Sequence, residues 1–357
     1  MLHTFRADHR FRSRIELALH GIEQSLAEGP LATLDTKTLR RVDSDEQRSG
    51  SKPLLTLRSE DGKAYAFKQC EPPLAAAEEA AYRLRRLGRR PAVPARALSL
   101  DLDGSGAFPG LLKPFVEFNV SAELESDTTT WTPEQRAVML LEHAWEWFLD
   151  NLDTNTSQYA LMGPLKLPVN IDWDRAFFSD GRSELSRFAK YKPALPNART
   201  FLYADYVAGK IELPLWLLAD EARRIRRLPK AEVKKILAHY ASIRFESETE
   251  RERFVARARM RQRGIEREVA VFMRLLWSER RSLQHPAGGA GEWLRRRLIA
   301  FWADWQRVLN AVLRGPIGVG ARRAVSLFRG FRVKPSATPE GTDKLPTAEL
   351  DVPPKSA

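Results

Sequence analysis

Between residues 38 and 118 the sequence alternates short β-type segments with one strong helix, in an order that few folds accommodate. The β-type runs are Thr38 to Val42, Leu54 to Arg58, Ala64 to Gln69, Ala95 to Leu102 and Leu111 to Phe118. Glu60-Asp61-Gly62 is a hairpin signal and Asp103-Gly104-Ser105-Gly106 a second turn, whereas residues 43 to 51 read as polar and mobile. After the third run comes Leu74 to Leu87, built of alanine, glutamate and arginine and stopped by Gly88. Three strands, a helix and two strands describe a small antiparallel sheet with one packed helix. Downstream, Thr132-Pro133-Glu134-Gln135 combines an N-cap, a first-turn proline and a capping box, predicting a helix to about Asp150 with Val138, Leu141, Trp145, Phe148 and Leu149 facing a core. Tyr159 to Met162 and Lys166 to Ile171 flank Gly163-Pro164 as a short hairpin, and beyond residue 183 almost everything reads as helix. The expected class is α+β and two-lobed: a small sheet lobe, a larger helical lobe, and extra C-terminal helices.

The pattern divides the chain into an N-terminal helix (1–30), a sheet lobe (31–118), a helical lobe (119–245), a basic helical extension (246–332) and a disordered tail (333–357) rich in Pro, Thr, Lys and Glu. In the first of these, Ile15, Leu17, Leu19, Ile22 and Leu26 recur near helical spacing. With 58 Lys and Arg against 46 Asp and Glu the formal charge is +12, which favours anionic partners and says nothing about fold. One cysteine, Cys70, excludes an intramolecular disulfide, and the six histidines form no zinc-ligand spacing. The chain opens without an apolar run of secretory length and nowhere strings 18 apolar residues together, so a cytoplasmic protein is expected.

Phosphoryl transfer asks a protein for positioning and charge neutralisation: a lysine, an orienting carboxylate and oxygen ligands for metal. Lys68 ends Tyr65-Ala66-Phe67-Lys68, where strand alternation aims it away from Tyr65 and Phe67. Glu78 or Glu79 on the following helix can hold it. Asp153 lies five residues before Gln158, the interval between base and metal-binding amide in protein-kinase catalytic loops, and Asp172 follows after the hairpin. Asp172 and Gln158 offer the oxygen donors that Mg²⁺ prefers. Asp174 reads equally as a second metal ligand or a solvated turn carboxylate. Backbone amides around Ser49, Gly50 and Ser51, with Lys52, could cradle phosphate without a glycine-rich fingerprint.

The stretch from about residue 36 to 180 resembles the atypical kinases related to HipA and to the phosphatidylinositol 3- and 4-kinases. Their catalytic loop, Asn-x-Asp-Arg-His-x-x-Asn, corresponds to Asn151, Asp153, Thr154, Asn155 and Gln158, and their Ile-Asp metal motif to Ile171-Asp172. The resemblance extends to Glu78-Glu79-Ala80-Ala81-Tyr82, which selects Glu78 as the partner of Lys68, and to Gly110 through Phe118, which implies adenine contacts from the backbone of Glu117 and Phe118. It implies a bilobal kinase-like fold, ATP and Mg²⁺ as cofactors, and a hydroxyl-bearing acceptor that is a protein, a lipid or a small molecule. Thr154 and Asn155 depart from the family's Arg-His, and Gln158 is one methylene longer than asparagine. These departures define the alternative: a pseudokinase acting as a nucleotide-binding or interaction module through its basic C-terminal helices.

Blander readings stand beside these. Lys68 alone could be an exposed strand lysine and Asp153 a turn residue; His143 reads as a packed mid-helix histidine and Cys70 as a small buried residue. The Trp293 to Trp305 stretch suits packing with snorkelling arginines, and Ala321 to Arg332 leaves open peripheral contact with an anionic membrane. No specific nucleic acid is expected; a third reading, a basic helical membrane or nucleic-acid binder without a nucleotide site, would show strong salt-dependent binding.

Overall fold

The computed structural model describes residues 2–27, 31, 34–42, 47–49, 52–102, 106–115, 124–125, 127–151, 156–177 and 198–284. The chain divides into a compact unit ending at Ala311 and a second one beginning at Val312, and the described residues all belong to the first. The expected disordered tail and the stretches 293–305 and 321–332 lie outside them.

The class is α+β, as expected: a small antiparallel sheet, one helix packed on it, and many further helices. The sheet runs β1 (Arg40–Arg41), β3 (Lys52–Arg58), β4 (Ala64–Gln69), β6 (Phe108–Pro114), β5 (Arg96–Leu100), with β2 (Gln47–Ser49) also paired to β3. β1 is shorter than the sequence suggests, because residues 36–38 turn in a 3-10 helix whose first N–H groups are met by Asp35; the Lys37 N–H donates to its carboxylate at 3.0 Å. β2 falls where polarity suggested a mobile loop. Its backbone pairs Gln47 with Leu54 and Ser49 with Lys52, and ladder hydrogen bonds do not require apolar side chains.

Alternation gives the sheet two different faces. On one, Tyr65, Phe67, Leu57, Leu100 and Leu112 form a core with Leu31 and Leu39. Gly110 lets Phe67 close over β6 there: a Cβ would meet the Phe67 ring at 2.6 Å. On the other face, Ala66 lies opposite Lys113 and Lys68 opposite Leu111. The helix α2 (Pro72–Leu87) packs against this face through Ala75, which shares a small cluster with Ala95, Leu111 and the half-buried Cys70.

The far side of α2, including Ala76, Ala80, Ala81 and Leu84, belongs to the main core. Alanines there let the helix be covered on two sides without long side chains to accommodate. At the centre of that core runs α3 (Pro133–Leu149), started by the expected capping box between Thr132 and Gln135 and buried around its whole circumference. The hairpin β7 (Tyr159–Met162) and β8 (Leu167–Asn170) follows it. Then come α4 (Ala198–Val207), α5 (Trp216–Arg226), α6 (Lys230–Arg244) and α7 (Glu248–Gln284). The long α1 (Leu2–Ala27) buries Ile15, Leu19, Ile22 and Leu26 against α3 and β8, while Leu17, out of phase with that stripe, is exposed.

The helix α7 begins the stretch expected as a basic helical extension. Phe254, Ile265, Val269, Phe272 and Leu276 enter the main core with Trp147 and Tyr203. The dense charge of α7 hid this, since its apolar stripe occupies only one side. His143 is the packed histidine expected, stacked on Trp147 at 5.6 Å and hydrogen-bonded to the Tyr203 hydroxyl. No helix among the described residues is long and apolar enough to cross a membrane.

Candidate functional site

Lys68 stands on β4 with its neighbours Tyr65 and Phe67 anchored in the opposite face. Its ammonium leaves the sheet toward the end of the β7–β8 hairpin and lies 3.2 Å from both Asp172 and Asp174. Residues more than a hundred positions apart in sequence thus meet at one point. Lys68 is buried, and burial alone would depress its pKa; the carboxylates of Asp172, Glu78 and Asp174 outweigh that and raise it above the ordinary lysine value. Asp174 is only 8% exposed, so it is no solvated turn residue.

The Asp172-Trp173-Asp174 turn is fixed from below. Asn170, fully buried, accepts the Asp172 N–H on its side chain at 3.0 Å and the Trp173 indole N–H on its carbonyl at 3.1 Å. The Tyr159 hydroxyl donates to Glu146, and Trp173 carries the Arg85 guanidinium 4.9 Å from its ring centre. Arg85 is held in turn by a bidentate pair with Glu142 at 2.6 and 2.7 Å and donates to the Pro91 carbonyl. Burial is the largest influence on Glu142 and raises its pKa, against the pull of Arg85.

Glu78 reaches the same cluster but has a different direct partner from the one expected. Its carboxylate forms an ion pair with Lys113, which also donates to the Ile171 carbonyl at 2.9 Å. The register explains this: Lys113 sits opposite Ala66, one step along the same sheet face as Lys68, so two ammonium groups project under α2. Burial raises the Glu78 pKa, while Lys113 and, less strongly, Lys68 act to lower it. Lys113 went unnoticed in the sequence because nothing local distinguishes it; only the β4–β6 register places it beside Lys68.

Gln158 closes a short 3-10 turn after the loop that follows α3, and its carbonyl accepts the Ile171 N–H at 2.8 Å. That bond sets Gln158 against the residue before Asp172. Its side-chain oxygen is buried and makes no hydrogen bond in the protein. An unsatisfied buried acceptor is what an oxygen-coordinated cation would complete, and an amide oxygen together with carboxylates is a donor set that fits magnesium. Among the described residues there is no cluster of three or more His, Cys, Asp or Glu side chains able to hold a metal.

The loop itself begins at Asp150, which ends α3 in the left-handed region at φ 55°, a conformation Asp tolerates. Arg261 of α7 pairs with it at 3.4 Å, both side chains buried. The Asn151 N–H donates to the Glu146 carbonyl at 2.9 Å. Asp153, Thr154 and Asn155 lie outside the described residues, as do Glu117, Phe118, Gly50 and Ser51; Ser49 is placed by its backbone pairing with Lys52.

No protein-family model and no curated protein matches the chain. Among solved structures, the Helicobacter pylori proinflammatory kinase CtkA is 11% identical, with a TM-score of 0.43 over 65% of this chain and 96% of that one. The amicoumacin kinase hAmiN, in complex with AMP-PNP, Ca²⁺ and Ami, is 12% identical at a TM-score of 0.25, over 71% of this chain and 98% of its own. A Ralstonia eutropha protein assigned as an aminoglycoside phosphotransferase is 12% identical at 0.22, with the same two coverages.

Proposed function

We propose that the chain is an ATP- and Mg²⁺-dependent phosphotransferase of the atypical, HipA-like and phosphoinositide-kinase-like kind, moving the γ-phosphate of ATP to a hydroxyl acceptor. The observation that carries this reading is the convergence of Lys68 from the sheet with Asp172 and Asp174 from the hairpin, each pair at 3.2 Å. A buried ammonium facing two carboxylates is a site for a ligand bearing both negative oxygens and cations, as a metal–triphosphate does.

In this reading Lys68 binds the α- and β-phosphates. Asp172, Asp174 and the Gln158 amide oxygen would hold magnesium. Bound magnesium supplies neutralisation of charge on the β- and γ-phosphate oxygens. Glu78 and Lys113 fasten α2 to the sheet behind Lys68 and keep it aimed at the cleft. Asp153 orients the acceptor hydroxyl and takes its proton, and the backbone of Glu117 and Phe118 meets adenine.

The test is turnover of ATP by the purified chain, with and without magnesium, against the Asp172→Ala variant. Loss of transfer and of magnesium-dependent ATP binding is expected; undiminished turnover in Asp172→Ala would overturn the assignment.

A second reading, a pseudokinase that binds nucleotide without transferring phosphate, is favoured by one observation: Glu78 is engaged by Lys113 while Lys68 sits on the metal carboxylates. Stabilisation by ATP and magnesium with no transfer to any acceptor, water included, selects it.

A further inference from the structure

Away from the Lys68 cluster, α1, the end of α2, α5 and the turn after it line an open cavity of about 530 Å³ that carries five arginines, Arg12, Arg89, Arg223, Arg224 and Arg227, with Asp220 as its one carboxylate. Three of the arginines are engaged by acids. Arg12 and Arg223 share Asp220, the former at 2.5 Å, and Arg224 meets Glu16 at 2.8 Å and Glu221 at 3.3 Å. Among the described residues the side chains of Arg89 and Arg227 have no hydrogen-bonded or ion-paired partner.

Arg89 is also in an unusual place. It follows α2 at φ 53°, a left-handed conformation that glycine adopts far more readily. The neighbouring glycine, Gly88, serves a different need: a Cβ there would lie 2.4 Å from the Trp145 ring. Close packing thus claims the glycine, and the left-handed position falls to an arginine. Next to it, Arg90 is buried and clamped by Glu221 and by Glu16 at 2.8 and 3.1 Å. Arg89 is therefore presented to the cavity from a fixed backbone.

We infer that this cavity is a second binding site, for a soluble or membrane-borne ligand carrying at least two phosphate groups. Guanidinium forks match phosphate oxygens bidentately. A groove of some 530 Å³ suits a compact polyanion. The inference is independent of the phosphotransfer reading, since no lining residue belongs to that cluster.

The experiment titrates inorganic tripolyphosphate calorimetrically into the full chain, the Arg89→Gln/Arg227→Gln double variant and Lys68→Met. The two exposed arginines lack partners, so the double variant should melt like the wild type. In metal-free buffer, where the Asp172 and Asp174 carboxylates at the Lys68 cluster repel a bare polyphosphate, tripolyphosphate should bind wild type and Lys68→Met alike, more weakly as salt rises, and at least tenfold more weakly to the double variant. Co-sedimentation with vesicles carrying a bisphosphorylated inositol lipid, lost in the double variant, would identify a lipid headgroup as the source; tripolyphosphate binding without vesicle binding identifies a soluble one. The proposal fails if neither probe binds, if the double variant binds as wild type does, or if Lys68→Met abolishes binding. The arginines would then only complement the carbonyl ends of α2 and α5.

Discussion

The Lys113 ammonium joins the Glu78 carboxylate to the Ile171 carbonyl, so one side chain ties the sheet, α2 and the peptide before Asp172 together. Glu78 is 3% exposed in its side chain and Lys113 17%, which makes this a desolvated pair. Removing one partner of such a pair leaves a buried charge uncompensated. Lys113→Met is therefore expected to cost about 3 kcal/mol in denaturant unfolding at neutral pH. The double variant Lys113→Met/Glu78→Gln should recover most of the loss, and a Lys113→Met chain as stable as wild type would refute the role given to the bridge.

At the other lysine, Asp172→Asn keeps the size of the side chain and removes its charge. Magnesium-dependent stabilisation by ATP in a thermal melt should disappear, while the melt without ligand shifts little, since Asp174 still pairs with Lys68 at 3.2 Å. Equal ATP stabilisation in variant and wild type would separate Asp172 from metal binding.

The Lys68 ammonium also gives stability a pH signature. Its folded-state pKa is raised above the ordinary 10.5 by the surrounding carboxylates, so its contribution is complete below that value and fades as pH climbs through the raised one. The difference in unfolding free energy between wild type and Lys68→Met should be flat from pH 7 to about pH 9.5 and shrink above roughly pH 10.5. A difference that grows with alkalinity would contradict the arrangement.

Gly88→Ala tests the packing of α2 on α3. The added methyl would fall 2.4 Å from a Trp145 ring carbon, with that ring buried and its indole N–H donating to Glu221 at 2.7 Å. A loss of about 1–3 kcal/mol is expected from overpacking, read as a lower denaturant midpoint at unchanged slope. No loss would mean that the indole has room to move.

Most of the sheet and α3 was legible because their signals are local: the Thr132–Gln135 capping box, the Gly62 turn and the alternation through Tyr65 to Lys68 each act within a few residues. Lys68 and Asp172 meet as the spacing of the elements that carry them suggested. The pairing of Glu78 with Lys113 was not legible, since it depends on the β4–β6 register, which sequence does not state. Nor was the burial of Asp174, which rests on contacts from a strand far upstream. Likewise α7 hides a core face under its arginines, because a helix needs only a narrow apolar stripe to be buried.

Asp150 and Arg261 carry a consequence for the order of events on the ribosome. The left-handed end of α3 is fastened by a residue in the middle of a 37-residue helix that is synthesised long after it. Local pairing can form the sheet early, but closing so large a loop is entropically slow and must wait for the later segment. The end of α3 at Asp150 should therefore reach its final shape among the last parts of the molecule, and a nascent chain cut short before α7 would hold a folded sheet beside an unfinished core.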